Sequence, residues 1–340
     1  MTPQAALHAL LDKRDLTHDQ MLEVMRAIMS GEWTAAQIAG VLIALRMKGE
    51  TVDEISAAAE VMRSLSTKVS VSDDAHLIDT CGTGGDGIQT FNVSTVSAFV
   101  AAAAGAKVAK HGGRSVSSTC GSADVLEALG VNVNLTPAQV AEAVDAIGIG
   151  FMFAPNHHSA MKHAAPVRRE LGVRTMFNLL GPLTNPAGAR NQVMGVFDRS
   201  LTGKLARVLQ QLGSEHVMVV HGADGMDEIS FSGDTYVAEL KDGQVREYVL
   251  NPQQFGMSLH ATESIRVQDA EASKAMILDV LAGQAGPARD IVLLNAGAAI
   301  YVAGQAETLQ AGIDSAAHVI NAGLARNKLD QLISLSQRLK

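Results

Sequence analysis

The feature that most constrains the fold is a glycine-rich segment, residues 79–95, which reads DTCGTGGDGIQTFNVST. Four of its glycines fall within the six positions from Gly82 to Gly87. Without side chains, a tight turn can bring several backbone N–H groups around an anion. An apolar, alanine-rich helical pattern follows immediately, and a loop that leads into a helix N-terminus favours phosphate. The segment therefore predicts a strand, a phosphate-binding loop and a helix.

Two familiar phosphate-binding motifs do not explain this loop. Gly82, Gly84 and Gly87 satisfy the G-x-G-x-x-G spacing of dinucleotide-binding proteins, but that motif requires an Asp or Glu about 20 residues further on. No Asp or Glu occurs from Gly87 to Ala123. A Walker A loop is excluded because no Gly-Lys-Ser/Thr ends the run. Two interpretations remain: a solvated turn, or a site for a ligand with several phosphates.

Composition indicates an ordinary globular protein. The chain has 340 residues, 47% of them apolar and 18% charged, which is enough for two domains or one large domain with an appendage. A net charge of −8 disfavours nucleic acid as the main partner. Cys81 and Cys120 form neither a disulfide framework nor a metal-site pattern. The charged N-terminal residues and the shortness of every apolar run lead us to expect a cytoplasmic protein without a membrane partner.

The first 65 residues predict a small helical unit. Three capping boxes, each a threonine followed three residues later by Gln or Glu, precede apolar residues at helical spacing. They are Thr17–Gln20, Thr34–Gln37 and Thr51–Glu54. The methionines in this unit are interpreted as core or subunit-interface residues and not as a cofactor site, since Met mainly fills gaps.

Beyond the polar connection at Lys68–Asp74, strand-like and helix-like patterns alternate. The strand candidates are Leu77–Asp79, Lys107–Ala109, Val131–Leu135, Gly150–Phe153, Gln192–Phe197 and His216–Val220. Helical patterns separate them, and the stretch from Ser273 onward is mostly helical. This alternation predicts an α/β fold, with a small helical domain and a larger α/β domain that has a mainly parallel central sheet.

A second candidate anion site follows the Lys107–Ala109 strand. Residues 110–118 contain two glycines, two fixed cations and three serines. Loops after neighbouring parallel strands can share one ligand, although a solvated basic turn has the same composition. The absence of acidic residues around this segment suits a ligand with several phosphates.

Two other features carry recognisable chemistry. Asp227 and Glu228 follow the strand at His216–Val220, and carboxylates at a strand end can hold Mg²⁺ that bridges to substrate phosphates. Arg168 lies in a helix-like segment and can bind a carboxylate through two parallel hydrogen bonds. In both cases a solvated surface position is the alternative. His157 and His158 are adjacent and cannot both face one site from a helix, so zinc is disfavoured.

Together these residues resemble the anthranilate phosphoribosyltransferase family. Five ordered motifs carry the likeness, which covers nearly the whole chain: residues 79–95, 110–122, 150–155, 168–186 and 219–229. The resemblance implies a nucleoside phosphorylase/phosphoribosyltransferase-like fold, usually a homodimer, with the active site in a cleft. A helical domain of residues 1–68, joined by part of about 165–190, would pack on an α/β domain of residues 75–340.

The implied reaction transfers the phosphoribosyl group of 5-phosphoribosyl-1-pyrophosphate (PRPP) to the amino group of anthranilate in tryptophan biosynthesis, releasing pyrophosphate. It implies Mg²⁺, two ions per subunit, and no dedicated acid or base, because the anthranilate amine is already neutral near neutral pH. Two alternatives remain. Residues 168–186 argue against a nucleoside phosphorylase-like enzyme, while the acidic charge and the intact Asp227–Glu228 pair argue against a non-catalytic nucleic-acid-binding relative.

The resemblance also implies three sets of site residues. The PRPP set comprises Gly82, Gly85, Asp86, Thr90, Asn92, Val93, Ser94, Thr95, Lys110, His111, Gly112, Gly113, Arg114, Ser115, Val116, Ser117, Ser118 and Ser122. The anthranilate set comprises Gly82, Gly113, Ala154, Pro155, His158 and Arg168. The Mg²⁺ set comprises Ser94, Asp227 and Glu228. One departure concerns the second cradle, which in the family usually reads Lys-His-Gly-Asn-Arg. Here Gly113 replaces the asparagine that contacts anthranilate, and we expect weaker anthranilate binding.

Overall fold

A computed structural model describes residues 1–114 and 120–339. The helices are α1 Pro3–Leu11, α2 His18–Ser30, α3 Ala35–Lys48, α4 Val52–Leu65, α5 Val93–Ala103, α6 Ser122–Ala128, α7 Pro137–Ile147, α8 Ala154–His157, α9 Ala165–Leu171, α10 Phe177–Leu180, α11 Leu201–Gln211, α12 Ala270–Leu281, α13 Pro287–Val302, α14 Leu309–Asn321 and α15 Leu324–Arg338. The strands are β1 Leu77–Gly82, β2 Lys107–Gly112, β3 Ile149–Phe153, β4 Asn191–Gly195, β5 His216–Gly222, β6 Thr235–Lys241 and β7 Gln244–Leu250. Short 3₁₀ helices occupy Ser159–His163, Pro252–Phe255 and Thr262–Ile265.

The predicted helical unit is present at the N-terminus. All three capping boxes form, at Thr17, Thr34 and Thr51, and each begins a helix from α2 to α4. No capping box in the sequence predicts α1, whose cap is Thr2 accepting a hydrogen bond from the N–H of Ala5. The start of α1 lacks the Gln or Glu at the third position that identified the other three helices.

The described residues form a sheet of seven strands in the order β3-β2-β1-β4-β5-β6-β7. Strands β1 to β5 are parallel, and β6 and β7 continue the sheet antiparallel. The predicted α/β fold with a small helical domain and a mainly parallel sheet is confirmed. The chain first builds outward from β1 to β3 and then returns to β4 on the other side of β1. Such a reversal in strand order opens a crevice at the carboxyl ends of the strands.

One predicted strand is wrong and one hairpin was missed. Val131–Leu135 is an irregular segment, and the N–H of Asn132 donates to Ser336 Oγ (3.0 Å) instead of joining the sheet. Its alternation reflects burial of Val131, Val133 and Leu135 on one side of an extended segment. The missed hairpin, β6–β7, turns at Asp242 and Gly243, where both residues have a positive φ.

Two apolar clusters cover opposite faces of the sheet. Along β5, Val217 and Val219 belong to one cluster, and Met218 and Val220 belong to the other, as expected for alternating side chains. The first cluster also contains residues of α1 to α4 and residues from the 164–183 region, including Val167, Phe177, Leu180 and Leu183. The exact division between the predicted domains stays a prediction. No helix in the described ranges is both long and apolar enough to cross a membrane.

Candidate active site

The glycine-rich loop follows β1 at the carboxyl edge of the sheet. Gly84, Gly85 and Gly87 have φ values of 66°, 77° and 78°. This left-handed backbone is favourable only for glycine, so the tight turn predicted from the sequence is present. Asp86 lies within the turn and accepts a hydrogen bond from the N–H of Ile88 (3.2 Å).

The segment between this loop and α5 is held mainly by contacts within the protein. Thr90 pairs with Arg266 in an isolated bridge. The Asn92 side chain donates to the carbonyl of Cys120 (3.2 Å) and accepts from Ser273 Oγ (2.7 Å). The backbone N–H of Asn92 donates to the same Ser273 hydroxyl. Asn92 therefore connects the start of α5 to α12 and to the segment that leads into α6.

The first turn of α5 offers fewer free groups to a ligand than its sequence indicated. The side chains of Val93 and Thr95 are buried, and their N–H groups donate to the carbonyls of Phe91 and Asn92. Ser94 is more accessible, and its hydroxyl accepts a hydrogen bond from Lys110 Nζ (3.2 Å).

Lys110 brings the two glycine-rich segments together. Its buried ammonium group donates to Ser94 Oγ and to the carbonyl of Thr80 in β1. Burial lowers the pKa of Lys110, and the carboxylate of Asp79 partly offsets this effect. Asp79 is buried and accepts from the N–H of His111 (3.1 Å) and from Asn185 Nδ2 (2.8 Å). The loops after β1 and β2 therefore share one internal polar network.

The end of the second segment is organised by α6. Ser122 Oγ donates to the carbonyl of Gly113 (3.4 Å), and a Cβ on Gly112 would lie 2.1 Å from that hydroxyl. The guanidinium of Arg114 hydrogen bonds to Asp124 and Glu127 of α6. Ser115, Val116, Ser117 and Ser118 lie outside the described residues.

Asp227 and Glu228 lie against the glycine-rich loop. Asp227 Oδ2 accepts from the N–H of Gly84 (2.7 Å), and the Glu228 carboxylate accepts from the N–H of Ser94. Burial and the nearby Asp86 raise the pKa of Asp227 to about 7. Burial and the neighbouring Asp227 raise the pKa of Glu228 well above its usual value. The pair therefore lies where a cation would be stabilising.

The donor set at this pair fits Mg²⁺. Ser94, Asp227 and Glu228 offer only oxygen atoms, which Mg²⁺ prefers. Within residues 1–114 and 120–339, no three His, Cys, Asp or Glu side chains form a metal-binding cluster. Mg²⁺ commonly takes one or two carboxylates, several waters and substrate phosphates, so a site with few protein ligands suits an ion bound together with a phosphate compound.

Two glycines make room for the carboxylate pair. A Cβ on Gly82 would lie 2.3 Å from Asp227 Oδ2, and a Cβ on Gly195 would lie 1.5 Å from the backbone oxygen of Asp227. The sequence gives no local signal for the role of Gly195. Gly195 ends β4, next to Gly82 at the end of β1, but its contact with Asp227 joins residues 32 positions apart.

Arg168 is a partly buried cation on α9. Burial lowers its pKa, and its guanidinium lies over the Phe177 ring, 5.4 Å from the centroid. Among the described residues, the guanidinium has no carboxylate partner and no hydrogen-bond acceptor. A partly desolvated guanidinium of this kind is suited to a planar carboxylate.

The two histidines assigned to the site form a ring pair. The His111 and His158 centroids are 5.0 Å apart. Burial and the neighbouring imidazole lower the pKa of His111 to about 3, while burial and His157 lower the pKa of His158 to about 4. Both rings are therefore neutral near neutral pH. Ala154 and Pro155 begin α8 directly after β3, and they precede His158 in the chain by four and three residues.

The comparisons with known proteins agree over the full chain. The helical-bundle-domain model of the glycosyl transferase family matches residues 4–66, and its a/b-domain model matches residues 74–326. An anthranilate phosphoribosyltransferase from Methylobacillus flagellatus is 68% identical, with 99% of each chain covered. One from Thiobacillus denitrificans is 64% identical, covering 100% of this chain and 99% of the relative.

Solved structures of anthranilate phosphoribosyltransferases also match the chain. The crystal structure of anthranilate phosphoribosyltransferase from Thermus thermophilus matches with a TM-score of 0.92 and 42% identity, covering 98% of this chain and 99% of that one. The Saccharomyces cerevisiae enzyme in complex with PRPP and Mg matches with a TM-score of 0.90 and 26% identity, covering 99% and 98%. The chain belongs to the anthranilate phosphoribosyltransferase family.

Proposed function

We propose that this protein transfers the phosphoribosyl group of PRPP to the amino group of anthranilate, releasing pyrophosphate, in tryptophan biosynthesis. The observation that carries the proposal is the Asp227–Glu228 pair, which the N–H groups of Gly84 and Ser94 hold against the glycine-rich loop. This arrangement places cation-binding oxygens beside a loop suited to phosphate. The high identity to anthranilate phosphoribosyltransferases supports the same function.

The glycine-rich loop and the segment after β2 would hold PRPP between them. Gly82, Gly85 and Asp86 supply the loop backbone on one side, and Lys110 supplies a fixed cation next to Ser94 on the other. Ser94, Asp227 and Glu228 would hold Mg²⁺. The bound ion would stabilise the negative charge that develops on pyrophosphate. We propose two Mg²⁺ ions per subunit.

The chemistry that remains is substitution at C1 of the ribose. The C1–oxygen bond to pyrophosphate breaks, the anthranilate nitrogen bonds to C1, and one amine proton passes to water or to the released pyrophosphate. Because the amine is already neutral, the protein chiefly has to position it in line with the leaving group. Arg168 would hold the anthranilate carboxylate, and His111 and His158, whose rings are neutral near neutral pH, would add no positive charge of their own.

One assay tests the proposed function directly. Purified protein mixed with Mg²⁺, PRPP and anthranilate should consume anthranilate, which is followed by the loss of its fluorescence. Omission of either Mg²⁺ or PRPP should stop the loss. If the complete mixture shows no Mg²⁺-dependent loss of fluorescence, the assignment is wrong.

Arg168→Gln should lower kcat/KM for anthranilate by roughly 30-fold, because loss of one partner of a desolvated ion pair costs about 2 kcal/mol or more. Steady-state kinetics with both substrates varied measures the effect. Arg169→Gln is the matched control, since Arg169 is the exposed neighbour on the same helix. Equal effects of the two substitutions would contradict the role of Arg168.

Gly113→Asn should lower the KM for anthranilate. Among the residues that the structure describes, no atom lies within 4 Å of a Cβ built on Gly113, and the φ of Gly113 is not left-handed, so its backbone accepts a side chain. Its amide would add a polar contact of the kind usual in the family. KM measured for wild type and variant checks this, and an unchanged value would show that the departure at Gly113 has no consequence.

We also propose that the protein is a cytoplasmic homodimer. The exposed apolar side chains of Leu11 and Met47, 70% and 80% exposed, line one cavity between α1 and α3 and offer an apolar surface for a second copy. Light scattering measures the mass in solution, and a monomeric mass at micromolar concentration would contradict the dimer.

A further inference from the structure

Arg174 lies between the segment that carries Arg168 and the glycine-rich loop. It follows Arg168 by six residues, beyond Gly172, the left-handed C-cap residue of α9. The backbone carbonyl of Arg174 accepts a hydrogen bond from the guanidinium of Arg46 on α3. The backbone of this segment is therefore attached to the helical unit.

The side chain of Arg174 reaches across to the glycine-rich loop. Its guanidinium donates to the carbonyl of Gly85 and lies over the Phe197 ring, with the Cζ atom 4.1 Å from the centroid. The N–H of Phe197 in turn donates to Thr83 Oγ1 (3.1 Å), and the N–H of Thr83 donates to the carbonyl of Gly195 (2.9 Å). The Arg174 side chain thus contacts the loop directly at Gly85. It also contacts Phe197, whose N–H donates to Thr83 at the start of the loop.

The contact with Gly85 orients a peptide group inside the loop. In a trans peptide the C=O and the following N–H point in opposite directions. The carbonyl of Gly85 is directed toward Arg174, so the N–H of Asp86 is directed away from it. A loop with three left-handed glycines has many alternative conformations, and each contact that selects one of them lowers the cost of ordering it around a ligand.

We propose that Arg174 is a positioning residue that orders the glycine-rich loop from the anthranilate side and thereby couples the binding of the two substrates. This inference rests on the proposed function. A carboxylate held by Arg168 restrains the segment 165–180, and Arg174 passes that restraint to Gly85 and Phe197. Because binding coupling is reciprocal, anthranilate tightens PRPP binding and PRPP tightens anthranilate binding by the same factor.

The test is the KM for PRPP measured at low and at saturating anthranilate. In the wild type we expect it to fall about fivefold as anthranilate saturates, the lower end of typical coupling. In Arg174→Ala it should change by less than about twofold, while kcat at saturation of both substrates falls much less than kcat/KM for PRPP. Arg174→Lys keeps the charge but lacks the planar fork, and should restore only part of the coupling. Phe197→Leu, which removes the aromatic face but keeps an apolar side chain, should also weaken it.

Arg169→Ala removes a nearby exposed cation without touching the loop, and it should behave as the wild type. Melting temperatures show whether each variant is folded. If Arg174→Ala is not folded, the coupling measured in Arg174→Lys and Phe197→Leu tests the inference. Wild-type coupling retained in the folded Arg174 variants, an absence of coupling in the wild type, or the same loss in Arg169→Ala would overturn the inference. A wild type that forms no product would instead contradict the proposed function.

Discussion

The double substitution Asp227→Asn and Glu228→Gln should lower kcat by about 1000-fold, the upper end of what the loss of one transition-state contact costs. Both changes keep the size of the side chain and remove its charge. The N–H groups of Gly84 and Ser94 retain acceptors, so the backbone of the loop has no reason to move. The effect should therefore appear in the chemical step and in the Mg²⁺ requirement.

Anthranilate binding is the internal control for that experiment. Arg168, on α9, remains available to the anthranilate carboxylate, so the dissociation constant for anthranilate should change much less than kcat. Mg²⁺ titration of activity and fluorescence titration of anthranilate measure the two quantities. Equal losses in both would show that the pair supports the whole site and has no specific role with pyrophosphate.

Much of the candidate site follows from the sequence because its proposed chemistry depends on residue type. Glycines at 84, 85 and 87 indicated a tight turn, and in the structure all three have left-handed φ values. Adjacent Asp227 and Glu228 after a strand indicated a cation site, since parallel strands end at a common edge. The capping boxes at Thr17, Thr34 and Thr51 located three helices because a local hydrogen-bond pattern defines them.

The features that were missed depend on contacts distant in sequence or on a signal that was overlooked. Nothing near Gly195 in the chain indicates that the backbone of Asp227 passes against it. Arg174 is one more arginine in a basic segment until the fold places it beside Gly85. The β6–β7 hairpin did have a local signal, the Asp242–Gly243 pair typical of a two-residue turn.

The alternation of apolar residues at Val131–Leu135 predicted a strand that the structure does not contain. An apolar residue at every second position describes any extended segment with one buried side, whether or not its backbone joins a sheet. Here Asn132 hydrogen bonds to Ser336 on α15, which supplies the backbone partner that a neighbouring strand would otherwise provide. Sequence periodicity reports which side chains are buried and does not identify their backbone partners.

Gly195→Ala should lower turnover by about 100-fold or more, although Gly195 has no side chain that could bind either substrate. A Cβ at this position would lie 1.5 Å from the backbone oxygen of Asp227, and backbone cannot move aside as a flexible side chain can. The Asp227–Glu228 turn must therefore shift, and a misplacement of about 1 Å at a reacting site costs on the order of 100-fold in rate.

Gly233→Ala is the matched control for this substitution. Gly233 lies in the loop between β5 and β6 that also carries Asp227, its φ is not left-handed, and a Cβ there meets no atom of the described residues within 4 Å. It should leave activity and the Mg²⁺ requirement unchanged, whereas Gly195→Ala should raise the Mg²⁺ concentration needed for half-maximal activity. Urea unfolding separates this local displacement from a general loss of stability. Full activity in Gly195→Ala would mean that the position of Asp227 is not critical, which would remove the central support for the proposed cation site.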